Sequence, residues 1–227
     1  MFGLEPTPFD LRMIAFRIPV RVHPSFWIVA TLLSWSPDHL DFVFLWVMCL
    51  FVSILVHELG HALVAEAFGW TSEIVLYWCG GLAFSQRHTA RTPWREIAVA
   101  LAGPFAGFGL YGLAVGIEYV LDANRLWITP YRIFTFHCLY RINLYWGLVN
   151  LMPVLPLDGG HVCQSLLELG RVRDATRTAA QISVPVAAAA AVFFFTQYPD
   201  ERFAGMLFAM LCLQNIMMLQ QPTRSPW

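Results

Sequence analysis

The chain has 227 residues, 58% of them hydrophobic and 13% charged, against about 45–50% apolar and about 25% charged in soluble domains. That balance excludes an ordinary soluble globule and predicts a single integral membrane domain over residues 1–227. A formal net charge of −1 leaves no nucleic-acid footprint.

In chain order, residues 16–24, "FRIPVRVHP", alternate apolar and basic side chains and are predicted to form a strand at the membrane surface. Apolar runs near ~20 residues, the length that spans a bilayer, follow. The first, 26–35, is short; the second, 42–68, is long and clear. Residues 72–86 read as a surface hairpin of two β-prone runs around Gly80-Gly81. The third run, 97–121, is rich in glycine. The fourth begins near Phe136 and meets "NLMPVLPLDGG"; the fifth is 179–195 and the sixth 204–219. The predicted class is membrane all-α: a polytopic bundle of about six transmembrane helices with a small membrane-associated hairpin and strand region, its catalytic core at about 42–170.

Arginine orients the bundle, since the chain has no lysine. With six spans, Arg12, Arg17, Arg21, Arg87, Arg91, Arg95, Arg171, Arg173, Arg177 and Arg224 share one side, and Arg125, Arg132, Arg141 and Arg202 fall on the other. The bias predicts both termini in the cytoplasm of a cell, or inner, membrane. The N-terminal stretch lacks a signal-peptide core. The five cysteines form no CxxC pair and are expected as packing residues, Cys163 included.

The second run contains His57-Glu58-Leu59-Gly60-His61. On a helix the two histidines share a face, a spacing at which two imidazoles bind one Zn²⁺ while Glu58 serves as general base toward an activated water. Catalytic zinc takes three protein ligands and keeps one position open. Neither a third histidine beyond "HALVAEAF" nor an acid near Gly81 supplies the third, which leaves Asp158. The motif lies roughly 10–16 Å below the cytoplasmic end of its span. Pro153 and Pro156 break the fourth run just before Asp158, and the helix beyond returns to Arg171 over roughly 16 Å, so Asp158 is expected at the same depth.

An HExxH in one span with Asn150-x-x-Pro153-x-x-x-x-Asp158-Gly159 in a later one resembles the site-2 protease family of intramembrane zinc metalloproteases. The resemblance runs from about residue 16 to 170, including "FRIPVRVHPSF", and shows no PDZ insertion or CBS tail. It implies one zinc held by His57, His61 and Asp158, Glu58 as catalytic base, and Asn150 near the substrate or tetrahedral intermediate. It also implies a transmembrane protein or leftover signal peptide as substrate, cut near the cytoplasmic face. The family's third helix often carries Gly-x-x-x-Asn, Ser or Gly; Gly103 and Gly107 give the plainest variant. The hairpin residues Gly80, Gly81 and Leu82 are expected to hold an unwound substrate as an added strand.

Blander readings stand beside these. Asn150 also reads as a cap of the broken helix, His161 as a cap or channel residue, and Glu66 as a surface acid. His23, His39, His88 and His137 read as interfacial or packed, and Gly103/Gly107 and Gly112/Gly116 as helix-packing pairs. A metal transporter would repeat polar residues along several spans, whereas here they converge on one set. An inactive binding relative would not need Glu58.

Overall fold

The computed structural model describes residues 6–78, 80–86, 91–126, 128–198 and 202–221, with the backbone alone for 82–86. Its elements are β1 (Leu11–Ala15), β2 (Ile18–Val22), α1 (Pro24–Leu33), α2 (Leu40–Ala67), β3 (Thr71–Tyr77), β4 (Gly80–Gln86), α3 (Pro93–Ala123), α4 (Pro130–Asn150), α5 (Asp158–Leu169), α6 (Ala175–Gln197) and α7 (Arg202–Gln220). Among the described residues, α2, α3, α6 and α7 are long and apolar enough to cross a bilayer. Helix α4 has 21 residues but carries Arg132, Arg141, Asn143 and Asn150. Helix α1, with 10 residues, is about 15 Å long, half a hydrocarbon core.

The chain forms two compact units, Met1–Arg91 with Ala102–Leu148, and Thr92–Leu101 with Val149–Trp227. In the first, a four-stranded sheet has the order β1-β2-β3-β4. Strands β1 and β2 pair antiparallel, β2 and β3 parallel, and β3 and β4 antiparallel with Leu76 opposite Gly81 and Val75 opposite Leu82. Alternation along β2 turns Ile18, Val20 and Val22 inward. They join Ile74 and Leu76 of β3, Phe26 and Ala30 of α1, and Val43, Val47, Ile54, Leu59 and Ala62 of α2 in one core. The sheet is therefore seated directly on the motif helix.

Local signals place these pieces. His23 caps α1, its Nδ1 accepting from the Ser25 amide, with Pro24 in the first turn. Gly69, at φ 78°, ends α2: its N–H donates to the Glu66 carbonyl and that of Trp70 to the Ala65 carbonyl, a Schellman-type stop that turns the chain into β3. Strand β1 is an addition to the strand and hairpin expected from sequence. Phe16 lies outside the strands, at the β1–β2 turn with Arg17; their φ values are 51° and 72°, as a two-residue hairpin turn demands.

In the second unit, α6 packs on α7 through small residues. Val154, Ala187, Ala190, Ala191, Phe208 and Leu211 form one cluster, and Phe194 stacks on Phe208 at 5.7 Å. Asp174 caps α6 by accepting from the Arg177 amide at 3.1 Å. Cys49, Cys138, Cys163 and Cys212 are free thiols; Cys79 and His88 lie outside the described residues.

Ahead of β1, Asp10 accepts from the Thr7 amide at 3.0 Å and from the Arg21 guanidinium at 3.1 Å. Burial pushes its carboxyl up, but the Thr7 and Arg21 hydrogen bonds and the Arg21 charge outweigh it and hold the pKa at about 2. A carboxylate with a depressed folded pKa stabilises the fold above its unfolded pKa and loses that contribution as pH falls through the folded value. Thermal unfolding in detergent at stepped pH should show wild type more stable than Asp10→Asn at neutral pH. The gap should close as pH falls from about 4 to about 2.

Candidate metal centre

Helix α2 buries three ionisable side chains in an otherwise apolar run: His57, Glu58 and His61 are 5%, 7% and 8% exposed. Such groups are retained inside a membrane helix where they have work to do. The i, i+4 spacing brings His57 Nε2 and His61 Nε2 to 3.1 Å, with the rings at 83°. Zinc–nitrogen bonds of about 2.0–2.1 Å at a tetrahedral angle place two ligand nitrogens about 3.3 Å apart. The imidazole pair has that bite without rotamer change.

Three glycines set the clearances around the motif. A Cβ on Gly103 of α3 would fall inside the His61 ring, and one on Gly60 would meet the Ala102 carbonyl. A Cβ on Gly81 would overlap the Glu58 carboxyl group, so the β4 backbone passes directly over the candidate base. One turn before His57, Ser53 accepts from Asn143 Nδ2 of α4 at 2.9 Å, and the same Nδ2 donates to the Leu139 carbonyl at 2.9 Å. Ser53 and Asn143 are each 3% exposed. Gly107 faces Asn143, with room for a methyl group 3.7 Å from its Oδ1.

In the second unit, Asn150 ends α4 at 8% exposure. Asp158 opens α5 and is followed by the buried Gly159 and Gly160. A Cβ on Gly159 would strike the Leu151 carbonyl, and one on Gly160 the Val154 backbone. The two glycines thus let the first turn of α5 lie against the Pro-broken segment. Among the described residues, the candidate metal ligands are His57 and His61 in the first unit and Asp158 in the second. Two imidazoles and a carboxylate are a donor set suited to catalytic zinc.

The remaining candidates fall elsewhere. Gly80, at φ 121°, pairs with Tyr77 at the hairpin turn. Leu82 lies on the same edge strand, its side chain outside the described atoms. His161 is exposed on α5 and Glu66 is half-buried near the end of α2; neither joins the ligand group. Sequence reasoning passed over Asn143 and Ser53, and it took Gly103 for helix packing where the residue clears His61. A polar side chain within the fourth predicted span, two residues after Arg141, was the available signal for the first.

Comparison with known proteins agrees. The family model for peptidase family M50 matches residues 45–123 and 123–194. A Synechocystis protein described as a candidate zinc metalloprotease is 37% identical over 166 residues, covering 67% of this chain and 42% of its own. Stage IV sporulation protein FB of Bacillus subtilis is 33% identical over 144 residues, covering 63% of this chain and 46% of its own. The chain therefore spans less than half the length of these relatives. In fold it matches the solved site-2 protease from Methanocaldococcus jannaschii at a TM-score of 0.58 and 18% identity, over 96% of this chain and 99% of that one. With four membrane-length apolar helices and a family model matched over most of its length, the chain is an integral membrane protein and belongs to peptidase family M50.

Proposed function

We propose that the chain is an intramembrane zinc metalloendopeptidase that hydrolyses a peptide bond in or near a transmembrane segment of another membrane protein or a leftover signal peptide. The observation that carries this reading is the buried pair of histidine Nε2 atoms 3.1 Å apart with a glutamate between them in sequence. His57, His61 and Asp158 would hold one Zn²⁺. When bound, the ion supplies Lewis-acid polarisation of a peptide carbonyl and acidifies a water into the neutral range. Glu58 accepts the proton of the attacking water and returns it to the leaving amine. Asn150 holds the carbonyl oxygen as it becomes negative, the role the family resemblance implies for it.

A helical substrate hides its carbonyls in i→i−4 bonds, so the scissile segment enters unwound. Strand β4 is an edge of the sheet, and its Gly81 touches Glu58. A substrate strand added along Gly80, Gly81 and Leu82 is thereby delivered to the base. Residues 1–227 act as one membrane domain of six spans, with α1 and α4 counted among them. The arginine distribution supports cytoplasmic termini and cleavage near that face of the cell membrane.

Cleavage of tagged single-span substrates in vesicles, with bound metal measured in parallel, separates the roles. Glu58→Gln should lower cleavage by about 10²–10⁴ while zinc remains bound; cleavage at the wild-type rate would refute the mechanism. Asp158→Ala should weaken zinc binding by more than the about 10–100-fold that loss of an outer partner costs. Unchanged affinity would remove Asp158 from the ligand set. Gly81→Ala pushes on Glu58 and should cost about 100-fold in rate with zinc retained.

A further inference from the structure

The ligand segment is fixed by two polar side chains from helices that carry no part of the HExxH or Asn-Pro-Asp motifs. Pro153 and Pro156 interrupt the chain after α4, and neither has an N–H to donate. Leu155, between them, is 7% exposed, so its backbone groups cannot turn to solvent and must be paired within the protein. Its N–H donates to Ser183 Oγ of α6 at 2.9 Å, and its carbonyl accepts from Asn215 Nδ2 of α7 at 2.7 Å. The peptide groups on either side of Leu155 are thus held from two helices.

Both partners are buried in apolar spans, Ser183 at 0% and Asn215 at 2% exposure. Packing alone would favour an apolar residue at either position, because buried polar groups in such helices are costly. The cost is visible at Asn215. Its Nδ2 also donates to the Leu211 carbonyl at 2.8 Å, yet its Oδ1 has no hydrogen-bond partner among the described residues. The Ser183 hydroxyl in turn donates to the Ala179 carbonyl at 2.8 Å, which orients its lone pair toward Leu155.

The hold passes on to Asp158 through short connections. The Leu157 amide donates to the Val154 carbonyl at 2.8 Å, and the Gly160 amide to the Leu157 carbonyl at 2.9 Å. Gly160 rests on the Val154 backbone. We propose that Ser183 and Asn215 are positioning residues, a two-point clamp on Leu155 that sets where Asp158 presents its carboxylate. The role of Asp158 in this proposal rests on the ligand set proposed above; the clamp on residues 151–158 does not.

Hydrogen–deuterium exchange of the metal-free full chain in detergent tests the clamp, and the visible spectrum of the Co²⁺-loaded chain tests its consequence. Ser183→Ala and Asn215→Leu should speed exchange across residues 151–158 by up to about tenfold. Both should shift the Co²⁺ band and weaken Co²⁺ binding by about 10–100-fold. Ser183→Thr, which keeps the hydroxyl, should restore both readouts. Phe195→Leu loosens α6–α7 packing at Gly205, outside the cluster that holds Val154. It should lower the unfolding temperature yet leave the exchange of 151–158 and the Co²⁺ band unchanged. Exchange unaltered in Asn215→Leu, or raised equally by Phe195→Leu, would overturn the clamp. A Co²⁺ band unaffected by Asp158→Ala would instead overturn the ligand set, leaving the exchange result to judge the clamp by itself.

Discussion

Burying two imidazoles and a carboxylate in a helix meant for lipid is the constraint on which the rest depends. Each of His57, Glu58 and His61 is almost fully removed from water, and an unpaired ionisable group at that depth is expensive. The neighbouring structure answers that expense one residue at a time. The two imidazoles bring their Nε2 atoms to 3.1 Å, a zinc-sized bite. Gly103 yields its side-chain volume to His61, and Gly81 yields its own to Glu58. The sheet core fixes α2 from the side through Ile54, Leu59 and Ala62.

The same logic governs the polar groups away from the motif. Asn143 and Ser53 satisfy each other one turn from His57, which ties α4 to α2 where neither helix has water to turn to. Leu155 is satisfied from α6 and α7. Irregular backbone within a membrane domain persists only when its N–H and C=O groups are paired or face water, and the Pro-broken segment obeys that rule with side chains. A break that would ordinarily be a defect keeps its buried backbone groups paired from two helices.

Much of this was legible in the sequence because hydropathy and length are strong signals. Runs at 42–68, 97–121, 179–195 and 204–219 became α2, α3, α6 and α7 with ends shifted by a few residues. The i, i+4 histidines needed only helical geometry. Strand β1 was not legible: "LRMIA" has mixed character, and its strand state comes from pairing with β2 through a turn whose Phe16-Arg17 pair carries no Gly or Asn signal. Ser183 and Asn215 could be seen as polar residues in apolar spans, but no local pattern names a partner 28 or 60 residues away. The glycine clearances were hidden for a related reason, since Gly103 looks the same whether it admits a helix or an imidazole.

X-ray absorption at the zinc edge of the purified chain tests the central claim most directly. The account predicts a first shell of nitrogen and oxygen at about 2.0–2.1 Å with the outer-shell signature of two imidazoles. A sulfur shell near about 2.3 Å, or a single imidazole, would contradict it.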